Sequence, residues 1–361
     1  MQELDLAEKY GIVYIVSDRD AMYANNAYDL TAFAEYMDKP AYGGTILIDE
    51  PGAVNFADIG EATAAWKNSK YSNTLAYVNM LPNYAADWQL DDCQGTGGTY
   101  TGAAYNSYEE WIQRYLTYSQ PQVFSYDHYP YLFTQPNFFR DGWYNNLSNV
   151  RYWTMKANVP YWVYGQLGGW PEYGQTIDPS TQYLTYGHTA LQFNSMLSYG
   201  AKGIQYYNYF MPPNYISAGN YTSATMVDGT PTPYYAQIQR INKQVAAIDD
   251  VLLRSAWKGI IQIGSSPATI PDGDKVPSYG ALSSYSGTGN AIIGCFEYRD
   301  IGWAYYVTTN DVYNASTVTL NFNGNYNVRT VQDGESSTAS ADKITLSIPA
   351  GEGVLVVVPK K

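Results

Sequence analysis

Histidine and cysteine are almost absent from this chain: two of each in 361 residues, His128 and His188, Cys93 and Cys295. Two imidazoles leave almost no raw material for a histidine-rich zinc site or a Ser-His-Asp triad. The cysteines stand about two hundred residues apart with no CxxC spacing, which argues against a thiolate metal site and a structural disulfide. Charge is also scarce, at 15% of residues, and basic charge most of all: 20 Lys+Arg face 33 Asp+Glu, a net charge of -13. Such a field repels phosphate backbones, so nucleic acid is not an expected partner. Long apolar runs are missing too; the stretch from Gly353 to Val358 has the length of a strand, and no membrane span is expected. Met1 to Tyr10 lacks the basic and apolar regions of a signal peptide and reads as a helix running into a strand. The expectation is a chain that opens part-way through a domain.

Aromatic residues are abundant instead, with 39 Tyr, 10 Phe and 9 Trp, and apolar residues reach 45%. That composition builds a core and excludes a disordered chain. The length predicts two domains or one large one.

From the start to residue 255, short apolar runs alternate with stretches of helical period, the pattern of βα units around a parallel sheet. Strands are expected at Gly11 to Ser17, Gly44 to Ile48, Thr74 to Asn79, Gln122 to Tyr126, Pro160 to Tyr164 and Gly203 to Tyr207. Helices are expected at Asp29 to Met37, Phe56 to Ser69, Tyr108 to Ser119, Gly142 to Asn158, Ser180 to Tyr199 and Tyr234 to Leu253. Six such units suit a (β/α)8 TIM barrel whose first βα units are missing. A doubly wound nucleotide fold is weakened, because Asp18-Arg19-Asp20 follows the first strand where a Gly-rich phosphate loop belongs. The glycines of Gln94 to Gly98 lack a GK[ST] ending and read as a surface loop. After residue 255 helical period stops and alternating runs take over, which predicts an all-β antiparallel sandwich over 256–361. The domains are thus a (β/α)8-type unit, 1–255, and the sandwich, 256–361.

In a barrel the chemistry sits where the strands end. Asp49 and Glu50 close the apolar run Ile46-Leu47-Ile48, and burial plus an adjacent like charge is how a carboxyl keeps its proton near neutrality for general-acid work. The competing role, a helix cap, is disfavoured by the five residues from Pro51 to Asn55 that precede the next helix. Asp127 ends a second strand beside His128, where it is either a second carboxylate across a substrate or half of a structural Asp-His pair. Asp18, Asn79, Asn83, Tyr129, Gln166, Trp170, Tyr207 and Tyr209, with His128, supply acids, amides and rings at the other strand ends. Rings stack on the C–H face of a sugar, and amides bond its hydroxyls. Glu172 and the pair Asp91-Asp92 read as exposed loop acids, and His188 as structural.

These residues carry a resemblance. Asp49-Glu50-Pro51 after one strand, Tyr126-Asp127-His128-Tyr129-Pro130 after another, and the trailing sandwich resemble a bacterial (β/α)8 glycoside hydrolase with a C-terminal β-sandwich. In the retaining β-glycosidases an acid/base Glu follows the fourth strand as Asn-Glu-Pro and a nucleophile Glu ends the seventh. Glu50 matches the first position, with Asp49 replacing Asn, whereas the expected seventh strand ends Val163-Tyr164-Gly165-Gln166 with no carboxylate. Barrel hexosaminidases, which use the substrate's own acetamido group, are similar in their adjacent Asp-Glu; the resemblance makes Glu50 the acid/base and Asp49 the acetamido-orienting residue. A third arrangement, similar to α-galactosidases and dextranases, makes Glu50 the nucleophile and Asp127 the acid.

The expectation is therefore an extracellular or cell-surface glycosidase for a neutral or N-acetylated oligosaccharide or polysaccharide, without cofactor or metal, with Glu50 catalytic and Asp49 or Asp127 its partner. The alternative is a carbohydrate-binding barrel with a degenerate site, to which Gln166 points.

Overall fold

The computed structural model describes residues 2–17, 34–92, 107–132, 139–168, 184–210 and 223–361. In chain order it begins with α1 (Gln2–Lys9), β1 (Tyr14–Val16), α2 (Ala34–Met37) and β2 (Tyr42–Asp49). A 3-10 turn at Ala53–Asn55 leads into α3 (Phe56–Lys67), then β3 (Leu75–Met80), α4 (Asp87–Asp92), α5 (Tyr108–Ser119) and β4 (Phe124–Asp127). Next come α6 (Gly142–Ala157), β5 (Tyr161–Gln166), α7 (Tyr186–Ser198), β6 (Gly203–Tyr207), α8 (Pro233–Ala246) and α9 (Asp249–Leu253). Seven strands close the chain: β7 (Ala256–Ile263), β8 (Leu282–Thr288), β9 (Ala291–Tyr298), β10 (Gly302–Thr309), β11 (Ser316–Gln332), β12 (Glu335–Ile348) and β13 (Gly353–Pro359).

The first six strands form one sheet in chain order, β1-β2-β3-β4-β5-β6, alternating with helices as the sequence pattern predicts. Among the described residues the order is open: no strand pairing joins β6 back to β1, where the barrel expectation calls for a ring. The last seven strands form the antiparallel sheet, which starts at Ala256. Contacts divide the chain into a first unit, residues 1–127 with 149–162, and a second, residues 128–148 with 163–361.

In the first unit the sheet is apolar on both faces, as parallel strands require: Leu47 and Ile48 of β2, Tyr77 and Val78 of β3 and Phe124 and Tyr126 of β4 are all buried. α3 buries Phe56, Ile59, Ala62, Thr63 and Trp66, one stripe at helical spacing. α5 is capped by Ser107, whose hydroxyl accepts from the Glu110 amide, and buries Trp111, Ile112, Tyr115 and Leu116. Phe56 meets Trp111 and Tyr115 at 5.4 and 5.3 Å between ring centres. The helices approach so closely at Gly60 that a Cβ there would stand 2.3 Å from the Tyr118 carbonyl oxygen.

In the second unit α7 is the spine. Every residue from Gly187 to Ser198 is buried, because β9 and β10 lie against the helix. The Tyr306 hydroxyl donates to Asn194 Oδ1 (2.6 Å), Asn194 Nδ2 donates to the Gly351 carbonyl (2.9 Å), and Trp257 Nε1 donates to the Ser198 carbonyl (3.0 Å). The sheet itself folds over its longest strand: the first half of β11 pairs with β8 and its last residues with β13. Between them sits an apolar core that includes Ile293, Cys295, Val318, Leu320, Val354 and Val356. The sequence pattern splits β11 into two strands because its middle, Asn323 to Asn325, is polar and glycine-bearing. β8, rich in Ser, Gly and Thr, has no apolar alternation to reveal it.

Candidate active site

Three neighbouring strands of the first unit end side by side. Asp49 of β2 is in register with Asn79 of β3, and Asn79 with Ser125 of β4. Side chains alternate along a strand, so Tyr77 and Asn79 share one face of β3, and Ser125 and Asp127 one face of β4. The result is a polar cluster held in a row. The Asn79 carboxamide nitrogen donates to Asp127 Oδ1 at 2.9 Å and to Asp49 Oδ1 at 3.3 Å, and its oxygen accepts from the Ser125 hydroxyl at 3.2 Å. The hydroxyls of Ser125 and Tyr77 are hydrogen-bonded at 2.6 Å, and the carboxamide nitrogen of Asn79 is placed toward the two acids.

Glu50 leaves β2 with φ at +50°, a left-handed conformation that few non-glycine residues adopt, while its amide still donates to the Asn79 carbonyl at 2.8 Å. The turn takes Glu50 off the strand line and brings its carboxyl within hydrogen-bonding reach of Asp127. Burial raises the Glu50 pKa, the Asp49 charge raises it further, and the bond from Asp127 opposes both. Asp127 is 3% exposed. Burial, then the Glu50 charge, holds its carboxyl well above the ordinary range, only partly offset by the Asn79 donor. Two carboxyls that cannot both ionise share a proton. Asp127, the more deeply buried of the two, holds that proton the more tightly, with Glu50 as its partner. Asp49, in contrast, is exposed.

The remaining predicted residues have separate surroundings. Asn83 is half-buried in the turn after β3. In the second unit His128 is buried, with Nδ1 2.9 Å from Asn146 Oδ1 and its ring edge-on to Trp143; burial lowers its pKa to about 3, so the imidazole is neutral. Tyr129 and Tyr207 are half-buried with ring centres 5.9 Å apart, and Tyr209 is exposed. Gln166 holds the main chain: Oε1 accepts from the Tyr131 amide (2.9 Å) and Nε2 donates to the Tyr131 carbonyl (2.7 Å). Asp18, Trp170, Glu172 and Cys93 lie outside the described residues. His188 lies in buried α7, and Asp91 is exposed. Sequence reasoning names Asn79 but misses Ser125 and Tyr77, which the two-residue period from Asp127 and Asn79 marks.

No family model matches the sequence, and no curated protein does. Several solved structures are distantly similar. A GH30 endoxylanase from Clostridium papyrosolvens C71 aligns over 95% of this chain and 72% of its own, at 10% identity and a TM-score of 0.38. A GH27 β-L-arabinopyranosidase from Geobacillus stearothermophilus aligns over 99% and 77%, at 10% identity and 0.42. A β-galactosidase from the psychrophilic Marinomonas ef1 aligns over 55% of this chain and 28% of its own length, at 14% identity and 0.35. At these scores the activity has to be argued from this chain's own residues.

Proposed function

We propose that this protein is a glycoside hydrolase in which Glu50 is the general acid/base and Asp127 is the buried carboxyl that keeps it supplied with a proton. The observation that carries this is the Asp127–Glu50 contact at the ends of β4 and β2, with Asn79 holding Asp127 and Asp49 beside it. A half-buried carboxyl with a raised pKa is the general acid a glycosidic oxygen needs. The catalytic domain is residues 1–255, a barrel-type arrangement.

The same contact favours one mechanism. Retaining pairs stand about 5–5.5 Å apart and inverting pairs about 6.5–9.5 Å, to leave room for the sugar or for water. Two hydrogen-bonded carboxyls leave room for neither. Asp127 is then not the residue across the sugar, and the nucleophile is the substrate's own 2-acetamido oxygen. Glu50 protonates the departing glycosidic oxygen while the acetamido oxygen attacks the anomeric carbon; Glu50 then takes a proton from the water that opens the cyclic intermediate. Asp49, exposed and held by Asn79, accepts from the acetamido N–H. The substrate in this reading is an N-acetylated glycan, met outside the cell, in keeping with the acidic, lysine-poor composition.

Aryl N-acetylhexosaminides and aryl hexosides, offered to the native enzyme and to Glu50→Gln and Asp49→Asn, test this. The expected result is a preference for the N-acetyl series and a loss of about 10²–10⁴ in turnover at Glu50→Gln, the usual worth of a general acid/base. Turnover undiminished in Glu50→Gln overturns it. A second reading, glycan binding without hydrolysis, draws on a different observation: among the described residues β5 and β6 end in Gln166 and Tyr207, without a carboxylate. Saturable binding with no product would favour it.

A further inference from the structure

We propose that the second unit carries a carbohydrate site of its own: a pocket between α7 and the loops of the antiparallel sheet that takes a single neutral pyranose. Nothing in this inference depends on Glu50 or on hydrolysis. The cavity has a volume of about 220 Å³ and is walled by Tyr131, Phe139, Leu191 and Tyr313, with His188 between the tyrosines. Pockets for drug-sized ligands run to about 300–1,000 Å³, so this one suits one ring and not a chain of them.

The walls are preorganised. The Tyr131 and Tyr313 rings meet His188 edge to face, at 5.1 and 5.2 Å between centres, and Tyr131 meets Phe139 likewise at 5.3 Å. The Tyr131 hydroxyl donates to the His188 carbonyl at 2.9 Å, and the Thr185 hydroxyl is bonded to His188 Nδ1 at 2.6 Å. Around these rings stand hydroxyl, amide and carboxylate groups fixed by their own partners. Asn310 accepts from the Tyr144 hydroxyl at 2.5 Å and donates to the Ser266 hydroxyl at 2.9 Å. Asp311 Oδ1 accepts from the amides of Tyr313 and Asn314, at 2.8 and 2.9 Å.

The chemistry of the lining selects the ligand. Among the described residues no Lys or Arg lines the cavity, so an anion finds no counter-charge there. The one acid among the described lining residues, Asp311, is tied to main-chain amides, and a lone carboxylate does not hold a metal ion. A carboxylate and a hydroxyl nevertheless keep lone pairs and a proton beyond the bonds they already make. What remains is a neutral molecule with hydroxyls on its edge and C–H groups on its face. A pyranose meets that description.

The chain's two histidines make a direct test, because an imidazole NMR spectrum carries only His128 and His188. Methyl glucoside, galactoside, mannoside and N-acetylglucosaminide are titrated into the native protein and into Glu50→Gln, Tyr313→Ala and Tyr313→Phe. The expected result is a saturable shift of the His188 signals by at least one sugar, identical in Glu50→Gln. Affinity falls by about tenfold in Tyr313→Ala, and Tyr313→Phe retains it because the ring face remains; tenfold corresponds to about 1.4 kcal/mol, the scale of one aromatic face. Tyr313 is 56% exposed, so its loss does not unfold the unit. No saturable His188 shift with any sugar, a shift that Tyr313→Ala leaves intact, or an equal response to phenol overturns the proposal.

Discussion

Replacing Asp127 with asparagine separates the proton held at the site from the shape that holds it. An asparagine there still accepts from Asn79, now at 2.9 Å from Asp127, and still donates toward Glu50; it has no charge to acquire. The native carboxyl is buried and its pKa stands well above that of the unfolded chain, about 3.9. The sign follows from that direction. Below about pH 4 both states carry the proton and the carboxyl costs nothing. As pH rises, the unfolded chain releases its proton and the folded one does not, so native stability falls by about 1.4 kcal/mol per pH unit for the single proton retained. The fall stops only where the folded carboxyl itself titrates. Asp127→Asn lacks this slope, so its stability relative to the native protein grows by about 1.4 kcal/mol per pH unit from about pH 4.5 upward. Urea unfolding followed by tryptophan fluorescence at several pH values reads the difference. Stability curves that run parallel across pH would refute the shared proton.

Arg240→Ala strands Glu352, whose side chain is 3% exposed and lies 2.5 Å from the guanidinium. The expected loss is about 2 kcal/mol near neutrality, below the 3–5 of a fully buried pair because Arg240 is 44% exposed. Burial, against the Arg240 charge, raises the Glu352 pKa, so the penalty shrinks as pH is lowered toward the carboxylate range; a penalty that grows on acidification contradicts the ion pair. Gly60→Ala sets a Cβ against the Tyr118 carbonyl, a backbone atom that cannot swing away, and should cost about 1–3 kcal/mol in a thermal melt; a neutral substitution would mean that α3 and α5 stand further apart. Cys295 lies in the apolar core with its thiol pushed by burial up to about 12, so in a Cys93→Ser background a thiol reagent should label it only as fast as the unit opens, and immediate labelling would contradict that burial.

Much of the architecture was legible because burial writes itself into spacing. Tyr108 to Ser119 carries apolar residues at helical intervals behind a serine cap, and the helix has those ends. Ala291 to Tyr298 and Gly203 to Tyr207 likewise have the ends that their residue types predict. The adjacent Asp49 and Glu50, and Asp127 on another strand end, were legible as acids closing apolar strands, and the structure places them there. Polar strands were not legible: β8 and the start of β12, Glu335 to Asp342, are made by pairing with β11, and pairing leaves no apolar trace. Only the tertiary structure decided which atoms meet. Sequence alone left Asp127 equally a partner across a substrate or a neighbour of His128, and it offered Gln166 as a ligand for sugar. The register of β2, β3 and β4 put one asparagine between two acids, and the left-handed turn at Glu50 set its carboxyl against Asp127. Gln166 was drawn to the main chain of Tyr131, 35 residues away. Periodicity is a local consequence of burial, but a shared proton depends on hydrogen-bonding contact between strands that the sequence separates by dozens of residues.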